Sequence, residues 1–322
     1  MTTRVSNTLQ EVSAKPKWMP FFRSGLMLVE NLYVVLIVAF LVARFVLRHV
    51  WWIALLNNFT PLYFLPLLVL LPLAVVTRNL AGTLRLLVVA AVGVIWFAPY
   101  FLPKSSAMTD APLLRMATLN VDIDNPNVNL VRDWLRTTPL DGVFIQETPN
   151  SWRQNDITQQ LTDVYPYTAD TFHDRDEDGK IFLSRFPIVL SSEFKLTLLD
   201  RFFQQRLVLD TPLGRVVVYN IHLMPNFGDA PRLMVRPYNP LLNIVLSYDE
   251  SFRQLQIDAL LQQLDQETLP YIVAGDFNTS NFSTLYNELA GTLHDSFREA
   301  GVGFGMSWPA TGVPPFLRID YL

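Results

Sequence analysis

The sequence of 322 residues contains no cysteine and only four histidines. The absence of thiols excludes a disulfide framework, a thiolate zinc site and a cysteine nucleophile. Charged residues are also scarce, at 17%, whereas hydrophobic residues make up 50% of the chain, which is high for a soluble protein. The length allows about two domains, or one large domain with an appendage.

Charge and hydrophobicity both divide the chain near residue 110. Most of the apolar excess lies in residues 26–102. Residues 1–110 carry nine basic and three acidic residues, a net charge of +6, and the other 16 basic and 26 acidic residues give −10. Nucleic-acid binding depends on neutralising phosphates with Lys and Arg. The acidic C-terminal part therefore argues against tight, sequence-independent binding of DNA.

Three apolar runs predict a membrane region over residues 26–102. They extend roughly over residues 26–47, 50–76 and 86–102. A helix needs about 20 apolar residues to cross the hydrocarbon core, so about three transmembrane helices are expected. A signal peptide would be one short run, which does not describe this region. Residues 1–25 then form an N-terminal segment, residues 103–112 a polar linker, and residues 113–322 a separate domain.

The basic residues predict the orientation of this region in the membrane. With three spans, the N-terminal segment and the loop 77–85 lie on one side and carry six Lys and Arg, against three on the other side. This bias predicts a multi-pass protein of the plasma (inner) membrane with a cytoplasmic N-terminus. The domain after Leu102 is then extracytoplasmic, whereas two spans would place it inside.

The stretch DRDEDGKIFLSR, Asp174 to Arg185, resembles the first half of an EF-hand calcium loop. Such a loop ends with a bidentate Glu at its twelfth position. That position is Arg185 here, which would repel the ion, and the residues around Pro187 read as a strand rather than a helix. The sequence therefore disfavours a calcium loop.

From Leu113 onward, short β runs alternate with amphipathic helices. The predicted strands are LLRMATLNV, DGVFIQE, KIFLSRF, FKLTLL, RLVLDT, RVVVYNIHL and YIVAGDF. The predicted helices are NLVRDWLRTT, SWRQNDITQQLTDV and SFRQLQIDALLQQLDQ. Asn129 is the expected N-cap of the first of these helices. A hairpin turn is expected at Pro212–Gly214. This mixture indicates an α+β fold with two sheets, and not a purely parallel sheet.

Polar side chains recur at the ends of the predicted strands. They come as LNVDIDN, FIQET, YNIHL, VAGDFN and RIDYL. Residues i and i+2 share a face of a strand, so three pairs are each expected to point together: Asn120 with Asp122, Asn220 with His222, and Asp276 with Asn278. A single such pair is usually a turn former, but five in one domain indicate a site. Oxygen ligands without thiolates suit Mg²⁺, with Mn²⁺ as an alternative, bound together with a phosphate group.

The ordered series LNVD, IQE, GKIFLSRFPI, NIHL, GDFN and RIDYL resembles the endonuclease/exonuclease/phosphatase family, over residues 113–322. The resemblance implies a four-layer α/β/β/α sandwich with a divalent-metal site at the strand ends. It implies Glu147 as a metal ligand and Asn120 as its neighbour, orienting the phosphate. Asp122 occupies the position of an acid near the metal that many relatives lack.

The resemblance also implies the catalytic residues. His222 would face the phosphate and assist the leaving group, and Asp276 would orient or deprotonate the attacking water. Asn278 would bind a phosphate oxygen, and Asp320 would orient the metal or the histidine. Arg253 and Gln256 match a helix pattern of relatives and are predicted to be structural.

Three further residues are candidates for substrate binding. Asn220 precedes the predicted histidine, and Trp308 is expected at the rim of the site or, equally, in the core. Arg185 either pairs with a core carboxylate, the favoured reading, or reaches the catalytic face. The apolar, proline-rich segment 224–250 reads as a lid, a membrane-facing loop or a loop packed on its own domain.

One departure from the family pattern concerns the end of the chain. Relatives continue to an S-D-H element with a catalytic histidine, whereas no histidine follows Asp320 here. The sequence therefore predicts a fragment or a degenerate member of the family, with poor activity as given. Two functions remain open: a membrane-anchored phosphoesterase acting on a lipid, a small phosphoester or nucleic acid, and a non-catalytic, membrane-tethered binding protein. The acidic domain and the nearby bilayer favour a lipid or small substrate over duplex DNA.

Overall fold

The computed structural model describes residues 18–48, 50–104, 113–149, 152, 157–172, 179–225, 247–309 and 313–322. Most of the predicted linker, the acids before Gly179 and residues 226–246 of the predicted lid lie outside these residues. The helices are α1 (Trp18–Val46), α2 (Trp51–Asn57), α3 (Leu67–Val76), α4 (Leu80–Phe101), α5 (Val128–Thr137), α6 (Ile157–Gln160), α7 (Ser251–Asp265), α8 (Thr284–Ala290) and α9 (Ser296–Ala300), with a 3₁₀ helix at Thr60–Phe64. The strands are β1 (Met116–Asn120), β2 (Gly142–Thr148), β3 (Tyr167–Thr171), β4 (Gly179–Ser184), β5 (Ile188–Phe194), β6 (Gln204–Thr211), β7 (Gly214–His222), β8 (Tyr271–Asp276) and β9 (Asp320–Tyr321).

The strands form two mixed sheets. The first has the order β1-β2-β4-β3 and the second the order β5-β6-β7-β8-β9. One neighbouring pair in each sheet is parallel, β1 with β2 and β7 with β8, and the other pairs are antiparallel. Parallel neighbours run in the same direction. The carboxyl ends of β1 and β2 therefore meet at one edge of the first sheet, and those of β7 and β8 meet at one edge of the second.

The core lies in three layers, which explains why β2 and β4 are buried along nearly their whole length. Between the sheets, Phe144 and Phe182 pack against Leu207, Leu209 and Val218. The outer face of the first sheet is covered by α5 and the turn after α6. The outer face of the second sheet is covered by α7 and α8. The predicted four-layer α/β/β/α sandwich is thereby confirmed.

Several predicted elements agree with the structure, but the prediction of a strand at FKLTLL was wrong. The hairpin at Pro212–Gly214 joins β6 and β7, with Gly214 at a φ of 101°. The predicted strand FKLTLL is instead a turn after β5, because the Asp200 carboxylate accepts the N–H groups of Leu196 and Thr197 at 2.8 and 3.1 Å. Such bonds from a side chain to the backbone compete with a sheet ladder.

The predicted helix boundaries were less accurate than the predicted helices themselves. Helix α5 begins at Val128, with Asn127 and not Asn129 at its N-cap position. Of the predicted helix SWRQNDITQQLTDV, the described residues form the short helix α6 followed by a turn, and 153–156 lie outside the description. Helix α7 matches its prediction, because Ile257, Leu260 and Leu264 line one buried face.

In the N-terminal region, α1 and α4 are long and apolar enough to cross a membrane, with mean hydropathies of 2.5 and 2.1. The second apolar run is not one straight helix: α2 and the helical stretch Thr60–Val76 meet at an angle of 73°. Pro61 lies just after this break, and proline interrupts helical hydrogen bonding. The described helices therefore allow two crossings, or three if the bent pair counts as one.

The chain divides into two compact units. The described residues up to Val46 and Pro61–Phe97 form one unit, a small helical bundle around Leu70, Ala74 and Leu86. Residues Leu47–Thr60 belong instead to the unit of the α/β sandwich, together with the described residues from Ala98 onward. This division differs from the boundaries expected from hydropathy, because α2 packs with the sandwich despite its apolar sequence.

Candidate active site

The ends of four strands meet at one edge of the sandwich. Asn120 ends β1 and Glu147 lies at the end of β2 in the first sheet, while His222 ends β7 and Asp276 ends β8 in the second. The Asn120 amide joins the two sheets: its Nδ2 donates to Glu147 Oε1 at 2.8 Å and to Asp276 Oδ2 at 2.9 Å. One amide group therefore orients a carboxylate from each sheet.

His222 completes a group of three side chains that could hold a metal ion. One ligand atom from each of Glu147, His222 and Asp276 lies within 4.8 Å of the other two. His222 Nε2 is 3.6 Å from Glu147 Oε1 and 3.9 Å from Asp276 Oδ2. Opposite ligands 2.0–2.1 Å from Mg²⁺ are about 4 Å apart, so the two distances from His222 are compatible with a shared small cation.

The orientation of Glu147 depends on a local irregularity of β2. The register between β2 and β4 shifts between Ile145 and Thr148, and Glu147 has a φ of 52°. A bulge of this kind redirects one side chain, and positive φ values at non-glycine residues are costly and concentrate at functional sites. Gln146 is fully buried, while the Glu147 side chain keeps 29% exposure. The bulge thus turns the carboxylate toward the open edge.

The GDFN motif also has a local structural reason. Gly275 has a φ of 146°, and a Cβ at this position would lie 1.8 Å from the carbonyl oxygen of Ile221. Only glycine therefore allows β8 to run this close to β7. The motif continues with Asn278, whose backbone N–H donates to Asp276 Oδ1 at 2.7 Å and whose Nδ2 donates to the Leu223 carbonyl at 2.8 Å. Both carboxylate oxygens of Asp276 thus accept hydrogen bonds within the chain.

Asp320 lies directly opposite Asp276 in the pairing of β8 and β9. Burial, followed by the negative charge of Asp276, raises the pKa of Asp320 to about 7. Its Oδ1 is buried and makes no hydrogen bond to any residue that the structure describes. An unsatisfied buried carboxylate oxygen beside a second carboxylate is an environment that a cation would stabilise. The donor set therefore fits a divalent metal ion.

Three residues that support His222 were not predicted from the sequence. The Phe202 ring stacks on the imidazole at a centroid distance of 4.5 Å and an angle of 14°. The Gln204 side chain accepts the His222 N–H at 2.7 Å and donates to its carbonyl at 2.9 Å. Lys180 is fully buried, and its Nζ lies 5.4 Å from the Phe202 ring centre. A lysine within the apolar strand GKIFLS was the signal that could have identified it.

Two of the predicted substrate-binding residues lie elsewhere. Arg185 Nη1 is 3.8 Å from Asp141 Oδ1, at the start of β2, about 20 Å along the strand from Glu147. The favoured pairing with a carboxylate is what the structure shows, and Arg185 is not brought together with Glu147, His222 and Asp276. Asn220 is fully buried between the sheets, where its amide bonds Gln146 and Gln205 at 2.6 and 2.8 Å. Its side chain is therefore engaged in the core and does not face the site.

Asp122 and Trp308 lie near the site but outside the group of three ligands. Strand β1 ends at Asn120, and Asp122 is exposed at a φ of 64°, so the expected alternation of Asn120 and Asp122 on one face was wrong. The Asp122 carboxylate accepts the N–H of Asp124 at 3.1 Å. Trp308 is 43% exposed beside Ser307, whose hydroxyl accepts the N–H of Asp320. Metal binding by Asp122 and substrate binding by Trp308 remain predictions.

Comparison with solved structures finds related folds at low sequence identity. The chain is similar to an endonuclease/exonuclease/phosphatase family protein from Leptotrichia buccalis C-1013-b, with 16% identity over 65% of this chain and 86% of that one (TM-score 0.47). It is also similar to the human Nocturnin catalytic domain with bound sulfate, with 18% identity over 65% and 81% (TM-score 0.45). Truncated Caenorhabditis elegans TDP2 shows 14% identity over 65% and 82% (TM-score 0.45).

Comparison with curated protein sequences finds no match. The family model is informative, because it describes a family of phosphoester hydrolases and matches residues 117–322, more than half of the chain. The match begins inside β1 and includes each of the strand ends that form the site. The chain therefore belongs to the endonuclease/exonuclease/phosphatase family.

Proposed function

We propose that the chain is a divalent-metal-dependent phosphoesterase that hydrolyses its substrate by attack of water. The observation that carries this proposal is the convergence of Glu147, His222 and Asp276, from two different sheets, to within 4.8 Å. A cation bound between these side chains would relieve the repulsion of the two carboxylates. A bound divalent ion would neutralise the phosphate charge and lower the pKa of a coordinated water.

Each side chain at the strand ends would have a separate role in the reaction. Glu147 and Asp276 would hold the ion, and two carboxylates suit Mg²⁺ or Mn²⁺. Asn120 would keep both carboxylates in place through its two hydrogen bonds. Asp276 would also orient the attacking water, whose proton would pass to Asp320, the carboxylate opposite Asp276 in the pairing of β8 and β9.

The imidazole of His222 would face the phosphate and the leaving oxygen. Stacking on Phe202 fixes the plane of its ring, and Gln204 fixes its backbone. Positioning of this kind lowers the entropic cost of reaching the transition state. Asn278 would bind a phosphate oxygen from the loop that follows β8.

We also propose that the helical bundle anchors the protein in a bilayer with three crossings. At one end of the bundle, Arg23 donates to the Thr77 carbonyl at 2.6 Å, and Asn79 donates to Glu30 at 2.5 Å. The start of α1 therefore lies beside the connection between α3 and α4. Residues 47–60 and the chain after Ala98 pack in one unit and so must lie on the same side of a membrane.

The shared position of residues 47–60 and the chain after Ala98 determines how the stretch 61–76 would cross the membrane. If α4 crosses the bilayer once, the stretch 61–76 must cross it in the opposite direction. The end of the bundle that contains Arg23, Arg78 and Arg85 is the more basic one and is proposed to be cytoplasmic. The sandwich would then be extracytoplasmic, where a membrane lipid or a small phosphoester is a more suitable substrate than duplex DNA for its acidic surface.

The test is hydrolysis of bis-p-nitrophenyl phosphate by the purified full chain, with Mg²⁺ or Mn²⁺ and with EDTA. Turnover that EDTA abolishes supports the proposal, and binding of Mn²⁺ measured by electron paramagnetic resonance provides a second readout. Arg185→Gln is the matched control, because it changes a charge at the opposite end of β2. A chain that neither binds Mn²⁺ nor turns over substrate would favour the non-catalytic binding protein.

A further inference from the structure

Residues 47–60, which follow α1 and include the start of the second apolar run, make a buried polar contact with the sandwich. We call this segment the elbow. Asn58 follows α2 and is 6% exposed. Its Nδ2 donates to Tyr248 Oη at 2.7 Å, across 190 residues of sequence. The amide also lies 3.3 and 3.2 Å from the carbonyls of Ala54 and Leu55, so helix α2 itself holds the amide in place.

Tyr248 extends this contact toward α7. The side chain is buried, and burial raises the pKa of Tyr248 far above its ordinary value, so the hydroxyl keeps its proton. Because Oη accepts from Asn58, that proton is directed to Glu250 Oε1, 2.6 Å away. Removal of either partner would leave a buried polar group unsatisfied.

Glu250 in turn holds a buried arginine. Glu250 Oε1 accepts from Arg253 Nη2 and from Ser283 Oγ, each at 3.2 Å. The other arm of the guanidinium, Nη1, donates to the backbone carbonyl of Asn278. Arg253 is only 2% exposed, so these bonds form in a low-dielectric environment in which they are strong.

The last link of this chain of bonds lies in the site. Asn278 has a φ of 48°, in the left-handed region that asparagine adopts more readily than most other non-glycine residues. In that conformation its N–H donates to Asp276 Oδ1 at 2.7 Å. The guanidinium on its carbonyl therefore helps to hold the backbone that orients the Asp276 carboxylate.

A second contact between the elbow and the site follows a different path. Phe59 stacks on Phe316 at a centroid distance of 6.2 Å, and Phe316 meets Trp308 edge to face at 5.6 Å. The neighbouring Ser307 accepts the backbone N–H groups of Ile319 and Asp320. The elbow thus contacts the segment that carries Asp320 directly, and it reaches the loop after Asp276 through Tyr248, Glu250 and Arg253.

We propose that the elbow is an intramolecular positioning element for the active site, acting through Asn58, Tyr248, Glu250 and Arg253 on the loop 276–278. This inference rests on the proposed function for its kinetic consequence only. It assigns to the segment between the two proposed crossings, α1 and the stretch 61–76, a role beyond anchoring. The geometry of the Asp276 carboxylate then depends on whether the elbow is seated on the sandwich.

The experiment compares Asn58→Ala with Asn57→Ala in the full chain in lipid nanodiscs. Both asparagines are buried on the elbow, but the Asn57 amide makes no hydrogen bond to any part of the chain that the structure describes. Three quantities are measured: the kcat and KM for bis-p-nitrophenyl phosphate, the Kd for Mn²⁺, and hydrogen exchange of the peptide around 275–283. Melting temperatures are recorded separately.

Asn58→Ala is expected to lower kcat and weaken Mn²⁺ binding by about tenfold each, with KM changed less than twofold, as is typical of lost outer-shell partners. Exchange at 276–278 should rise, and Asn57→Ala should leave all these quantities unchanged. Equal behaviour of the two variants in exchange and Mn²⁺ binding would overturn the inference, and so would a lower Tm with an unchanged kcat.

A double-mutant cycle tests whether the residues act in series. Tyr248→Phe keeps the ring but removes the hydroxyl, so Asn58→Ala should add little in the Tyr248→Phe background. Losses that multiply would contradict the series. If the wild-type chain shows no metal-dependent turnover, the proposed function fails, but the exchange and Mn²⁺ measurements still decide this inference.

Discussion

Two buried carboxylates of the sandwich, Asp295 and Asp320, lie near the same C-terminal segment and have opposite electrostatic environments. Asp295 forms two bonds with the Arg318 guanidinium, at 2.6 and 2.8 Å, and accepts the Tyr286 hydroxyl at 2.7 Å. Burial alone would raise the pKa of Asp295, but its bonds to Arg318 outweigh burial and lower it. Asp320, two residues after that arginine, faces Asp276, and its pKa is raised to about 7.

The difference separates a carboxylate that is paired within the fold from one at the candidate site. A buried carboxylate that serves the fold has its own cation from the chain, as Glu267 also has in Arg206 at 2.7 Å. At the strand ends, in contrast, Glu147, Asp276 and Asp320 are brought near one another. Carboxylates gathered in this way destabilise the fold without an external cation, and this is a recurrent property of functional sites.

The largest effect is expected when a metal-holding carboxylate is removed. Glu147→Gln should lower metal-dependent hydrolysis of bis-p-nitrophenyl phosphate about 1,000-fold or more, because it removes a charge that the cation requires. Glu267→Gln removes a structural carboxylate and should lower the melting temperature instead, with activity at 20 °C within a few-fold of wild type. Comparable losses of activity in both variants would show that Glu147 and Glu267 do not differ in their importance for catalysis.

The next effect concerns the stability of the structural pair. Arg318→Met leaves Asp295 buried without its cation, which costs about 3–5 kcal/mol in free energy of unfolding. Chemical denaturation of the full chain in detergent, followed by tryptophan fluorescence, measures this loss. The double variant Arg318→Met with Asp295→Asn should recover part of it. A single variant as stable as wild type would show that Asp295 does not depend on Arg318.

Replacement of Asp320 should change stability in the opposite direction, with a defined pH dependence. A folded-state pKa of about 7 means that the contribution of this carboxyl to stability is present below about pH 4 and is lost as the pH rises through 7. In EDTA, Asp320→Asn should therefore stabilise the protein most at pH 8, by up to about 4 kcal/mol, and progressively less toward pH 4.5.

The matched control for that experiment is Asp295→Asn, which should destabilise the protein at pH 8, because Arg318 loses its partner. Melting temperatures across the pH range provide the comparison. Destabilisation by both substitutions at pH 8 would mean that Asp320 is a structural carboxylate as well.

The smallest effect is expected at the aromatic support of His222. Phe202→Leu removes the stacked ring, an interaction of about 0.5–1.5 kcal/mol, and should lower kcat by about three- to tenfold with little change in KM. Phe203→Leu is the control, because it replaces the neighbouring ring, which lies 4.6 Å from Lys195 Nζ. An equal loss in both variants would indicate a general effect on the loop.

The fold and the centre of the site were predictable because their signals are local in sequence. Strand-end motifs named Asn120, Glu147, His222 and Asp276 together, and the short alternating strands predicted a two-sheet α+β sandwich. The predictions for Asp122, Asn220 and Arg185 depended on which way a side chain points beyond or inside a strand. Those directions follow from the end of β1 at Asn120, from the amide bonds between the sheets and from the register of β2 with β4.

By itself, the sequence determined the acidic, cysteine-free hydrolase domain, the apolar region before it and the residue types of the site, because composition and short motifs carry that information. Only the tertiary structure decided that residues 47–60 join the sandwich and that Asn58 leads through Tyr248 to the loop of Asp276. Hydropathy cannot distinguish an apolar helix facing lipid from one packed on a domain. Hydrogen bonds between residues 190 positions apart exist only once the chain has folded.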